Sequence, residues 1–128
     1  MGVQITLPLP KKQTREDITL RTLKFIVDKQ IIKKDESCDF EGLVSGTEGY
    51  LKAQFSFSKE WNGCVKVAGF YSNTGVEYEP QPLDSNNSCT IPAEALKRQS
   101  FNIRVLGKRE GYMITTNKVN IMQNGGKI

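Results

Sequence analysis

Histidine does not occur among the 128 residues. Its absence removes the commonest general base at neutral pH and the commonest transition-metal ligand together. Ser-His-Asp and Cys-His mechanisms are therefore excluded. Cysteine is scarce as well: Cys38, Cys64 and Cys89 are odd in number, far apart, and never arranged as Cys-x-x-Cys. That spacing offers neither a disulfide framework nor the short ligand pairs of a structural zinc site. The three are read as free thiols behaving as small hydrophobes in a chain made in a reducing cytosol.

Long apolar runs are missing, so no segment reaches the length needed to cross a bilayer. The first residues, Met1-Gly2-Val3-Gln4-Ile5-Thr6-Leu7-Pro8, lack the basic region and apolar stretch of a secretory leader. A soluble protein without Sec-dependent export is expected. Phosphate-cradling loops are absent too. Gly107-Lys108-Arg109-Glu110-Gly111 and Asn124-Gly125-Gly126 match neither nucleotide-binding fingerprint and read as a turn and a tail. Glu77 and Glu79 share one face of a strand, where solvation is the simplest role for paired carboxylates. The expectation is a protein that is not an enzyme, with no catalytic residue, cofactor or metal.

Charge is unevenly spread. Residues 1–34 carry eight basic and three acidic side chains, whereas residues 35–48 carry five acidic and none basic; the whole chain has a net charge of +4. Such segments can pair within the fold or meet complementary neighbours in an assembly. The basic residues are interspersed with strand formers and have no accompanying aromatic series, so a nucleic-acid partner is not expected.

What is present is strand chemistry. Leu51, Ala53, Phe55 and Phe57 alternate with Lys52, Gln54 and Ser56, the pattern of a half-buried antiparallel strand. Ser58 is placed to cap the short turn that follows, and Gly63 to supply the left-handed residue that leaves it. Trp61, the single tryptophan, folds back over the sheet in this reading, since its large ring contributes more when buried than as an exposed sugar platform. A strand is expected over 18–27 despite the capping-box look of Thr14 and Asp17, because the segment is dense in β-branched residues. Leu23–Val27 and Gln30–Lys34 form a hairpin around Asp28-Lys29, followed by an acidic loop from Asp35. A second hairpin is expected from Cys64–Tyr71 through Ser72-Asn73-Thr74-Gly75 into Val76–Glu79. Asp84–Ser88 reads as a surface loop, Cys89–Ile91 as a short strand, and Pro92 as the first helical position of a brief helix to Lys97. Phe101, Ile103 and Val105 alternate, and Met113, Thr115, Val119 and Ile121 continue the series.

Short strands at this spacing imply an all-β fold, a small antiparallel β-sandwich with one short helical turn and an extended N-terminal arm. Three regions follow: an arm or short edge strand over 1–17, the sandwich over 18–123, and a tail over 124–128. Phe55, Phe57, Trp61, Phe70 and Phe101 are the expected core anchors. Val3, Ile5 and Leu7 alternate with polar residues until Pro8 and Pro10 end any pairing, which suits either docking on another subunit or an internal edge strand.

The succession Phe25-x-Val27-Asp28-x-Gln30-x-Ile32, Tyr50-Leu51-x-Ala53-x-Phe55-x-Phe57-Ser58-x-Glu60-Trp61, Cys89-Thr90-Ile91-Pro92-x-Glu94-x-Leu96 and Ile114-Thr115-Thr116-Asn117 resembles small β-sandwich modules of bacteriophage virion proteins. Such immunoglobulin-like domains stand near the start of tail, baseplate-upper and head-fibre proteins. The resemblance spans roughly residues 23–122, and its pieces are structural rather than catalytic. No fibre-forming or receptor-binding region follows the sandwich here, which favours an adaptor or decoration subunit over a complete fibre. The resemblance implies a virion protein assembled in the bacterial host cytoplasm. Its partners would be other virion subunits and copies of itself, with no membrane partner, joined through sheet edges and through Val3, Ile5, Leu7, Pro8 and Pro10. The alternative is a phage-encoded inhibitor that binds a host defence protein through its charged surface.

Overall fold

Alternating side chains govern the long strands. In β1 (Arg21–Asp28) Leu23, Phe25 and Val27 are buried while Lys24 and Asp28 face water. The same period buries Leu51, Ala53 and Phe55 of β3 (Leu51–Phe57), and Phe101, Ile103 and Val105 of β7 (Ser100–Arg109). A strand that is apolar on one face requires a second layer. The computed structural model, which describes residues 20–124, supplies it as two packed sheets.

The first sheet contains β2 (Ile31–Lys34), β1, β3 and β6 (Ser88–Thr90) in that order. The second runs β9 (Val119–Met122), β7, β4 (Val65–Tyr71), β5 (Gln81–Pro82), with β8 (Tyr112–Thr115) beside β7 as well. The ten-residue β7 takes β9 along its first half and β8 along its second. The molecule is thus a small, mostly antiparallel β-sandwich. Its helical content among the described residues is one α-turn, α1 (Ala93–Leu96), and one 3-10 turn, Lys59–Trp61.

Several local expectations change. β1 and β3 pair in parallel, Phe25 lying opposite Phe55, because β2 already occupies the other side of β1 and a long loop carries the chain back before β3 begins. Ser58 precedes the 3-10 turn but makes no side-chain cap. Its hydroxyl instead accepts the Lys29 N–H at 2.8 Å. The second hairpin reduces to one bridge between Tyr71 and Glu77, since the Ser72 hydroxyl takes the Thr74 and Val76 N–H groups, and Pro80 and Pro82 have none to offer a ladder. Pro92 stands at the N-cap, one residue before α1, in extended geometry. The arm placed over 1–17, and with it Val3, Ile5, Leu7, Pro8 and Pro10, lies outside the described residues.

Trp61 closes one end of the core. Its ring is fully buried, 5.1 Å from that of Phe57, and its indole N–H donates to the Lys29 carbonyl at 2.8 Å. Lys29 takes a left-handed backbone, φ 58°, between an anchored N–H and an anchored carbonyl. Such over-determination is what holds a non-glycine residue in that region. The opposite end is closed by the 35–50 loop, where Gly46 N–H donates to Leu96 O and Asn124 N–H to Leu43 O, each at 2.7 Å.

Candidate functional site

Among the described residues no group of three or more His, Cys, Asp or Glu could hold a metal, and no helix is long and apolar enough to cross a membrane.

The aromatic residues are largely withdrawn from the surface. Phe55, Trp61, Phe70 and Phe101 are each at most 2% exposed, and Phe57 packs against the same core while partly open. Trp61 therefore presents no face for a stacked sugar. Tyr71 is no better placed, being 7% exposed with the Lys118 ammonium 4.1 Å and the Arg104 guanidinium 5.6 Å from its ring centre. Tyr78 packs against the core. The thiols of Cys64 and Cys89 are buried, and Cys38 is half-buried.

The acidic stretch is an ordered loop. Arg21 enters it, but its guanidinium donates to the main-chain carbonyls of Asp39 and Glu41, at 2.9 and 2.6 Å, rather than to their carboxylates. Asp35 accepts the Ser37 N–H and hydroxyl, which hold its carboxyl below the ordinary aspartate range. Glu36, Asp39, Glu41 and Glu48 stay exposed, and the single ion pair among the described residues joins Glu94 to Lys97 across 3.7 Å on the surface. Within the described fold no ion pair joins the acidic loop to the basic stretch, and Lys24 acts on Asp35 only through a longer-range attraction that helps to lower its carboxyl.

Two patches lie on the second sheet. At one end Asn73, Asn102 and Asn120 hydrogen-bond mutually, and Asn73 donates to the Ser100 hydroxyl at 2.6 Å. These amides satisfy one another. The second patch is apolar. Val67 lies directly opposite Leu106, and Lys108 stands between Val65 and Met113, so that alternate residues of β4, β7 and β8 floor a shallow groove of about 500 Å³. Val65 is 73% exposed and Met113 62%. Pro80 and Glu77 form one wall. A sheet face of a two-layer sandwich that looks at water is normally polar, and contiguous exposed apolar surface marks a site of contact.

None of these groove residues stands out by motif. The signal was nevertheless present: in Cys64–Phe70 both alternating sets, Val65 with Val67 and Ala68 with Phe70, are apolar, and a sandwich strand has only one inward face. Comparison with protein-family models, with curated proteins and with solved structures finds no match to this chain.

Proposed function

We propose that the chain is a non-enzymatic structural subunit of a bacteriophage virion, an adaptor or decoration module of head, head fibre or tail and baseplate. The observation that supports an assembly role is the apolar groove on the outer face of the second sheet, exposed on a rigid two-layer scaffold. The phage setting is carried by the resemblance of the segments around Phe25, Trp61, Ile91 and Thr115 to virion sandwich modules. In this reading neighbouring subunits cover the groove, while short or proline-bearing edge strands such as β5 limit indiscriminate pairing.

Quantitative mass spectrometry of purified particles, scaled to the major shell and tail proteins, tests the proposal. Many copies per particle are expected. Complete absence from finished particles overturns it and leaves the inhibitor reading, for which the exposed carboxylates of the 35–50 loop would be the contact surface.

A further inference from the structure

We infer that the groove between Val65, Val67, Leu106 and Met113 seats residues 3–9 of a neighbouring copy, an inference that rests on the assembly role proposed above. Its floor is apolar along Val65, Val67, Leu106 and Met113, interrupted by Lys108 between Val65 and Met113, with Glu77 at its margin. Strand spacing makes it about 10 Å across, enough for two successive apolar side chains of an extended peptide.

The chain carries one segment of matching chemistry outside the described residues. Val3, Ile5, Leu7 and Leu9 recur at every second position. In an extended chain such residues share one side, about 7 Å apart. Pro8 and Pro10 have no N–H for a ladder. A peptide of this kind is suited to lie across a sheet face with its side chains down, rather than to add as a strand.

Reach favours a neighbour over the same chain. Leu20 immediately precedes Arg21, at the end of the sandwich where β1 meets Leu51 and the acidic loop. The groove is on the outside of the opposite sheet and extends towards the other end, beside the turn that carries Trp61. β1 lies inside its sheet, so passing round a neighbouring strand, across the sheet separation and the outer side chains of the second sheet, and along some four residues of strand takes about 30–35 Å. From Pro10 to Leu20 the chain spans at most about 33–36 Å. The same molecule's groove is reached only by a taut linker, whereas a subunit packed alongside imposes no such limit.

The test uses full-length chains on a Cys38→Ser background. One tagged population carries Ile5→Cys and another Met113→Cys. On mild oxidation the mixture is expected to give a cross-linked dimer at least ten times faster than a mixture of Ile5→Cys with Ser85→Cys. In sedimentation experiments Ile5→Asp and Met113→Asp, both without Cys changes, should each weaken self-association at least tenfold, and the double variant no further than either alone. Cross-linking confined to single chains of an Ile5→Cys/Met113→Cys variant overturns the inference. So does weakening by Met113→Asp without weakening by Ile5→Asp, which would mean that two grooves face each other. The particle count separates the two levels. Many copies in virions without the cross-link sink this inference alone, and absence from virions removes the assembly role beneath it.

Discussion

Asn117 joins the two sheets: its side-chain oxygen accepts the backbone N–H of Ile32 at 2.8 Å, while its own N–H donates to the Gln30 carbonyl at 3.1 Å. The residue sits in the break between β8 and β9. There Thr116 turns its hydroxyl inward to accept the Val105 N–H, and so frees the following residue to reach across. The open side of β2 is thereby partly capped by the opposite sheet.

Removing that acceptor strands a main-chain donor. Asn117→Ala is expected to lower the unfolding free energy by about 1–3 kcal/mol, the usual cost of an unmet partly buried N–H. Asn117→Asp keeps an oxygen at the same place and should cost less. Urea denaturation of the three proteins, compared by midpoint at constant slope, checks the order; equal losses for both variants would deny the hydrogen bond its role.

Gly107 and Trp61 are coupled by space. A Cβ on Gly107 would stand 2.7 and 2.8 Å from two atoms of the indole six-membered ring. Gly107→Ala therefore forces the ring to move and is expected to cost about 1–3 kcal/mol, as overpacking of a core does. Trp61→Phe loses the bond to Lys29 but vacates that volume. In a double-mutant cycle Gly107→Ala should cost less on the Trp61→Phe background than on the parent, with a favourable coupling of at least about 0.5 kcal/mol. Additive losses would mean that the ring and the glycine do not compete.

The thiols differ in environment. Burial pushes Cys89 up to about 12, with the Asp84 carboxylate adding in the same direction. A thiolate, not a thiol, is the nucleophile. At pH 8 a maleimide should modify Cys38 rapidly and Cys89 only after unfolding, as mass mapping will show. The sign of the pH dependence follows from the same shift. Above about pH 9 the unfolded thiol loses its proton while the folded one keeps it, so stability falls as pH rises towards 12. Cys89→Ala should flatten that part of the stability profile.

Sequence periodicity made β1, β3 and β7 legible, because inward residues such as Phe25, Phe55 and Ile103 recur at every second position wherever a sheet has one dry face. Pairing was less legible. Nothing near Phe25 or Phe55 specifies that their strands lie parallel, since that depends on which side of β1 the β2 hairpin has already filled. Ser58 shows the same limit at the scale of one atom. Its position before a turn suggests a cap, yet the tip of the β1–β2 hairpin arrives from elsewhere and takes the hydroxyl. In the candidate groove, both faces of β4 are apolar by inspection, but only the packing of the second layer shows which face Val65 occupies.

The parallel register of β1 with β3 also bears on how the chain finds its structure. Antiparallel neighbours can zip from a tight turn, as β1 and β2 do around Lys29, but Arg21 meets Leu51 only after the whole intervening stretch has looped back. Such a closure restricts chain freedom before any packing compensates it, and high contact order of this kind slows folding. The first sheet thus combines one local pairing, the β1–β2 hairpin, with one long-range closure, β1 on β3. Until the second is complete, the side of β1 that will receive β3 remains an open template.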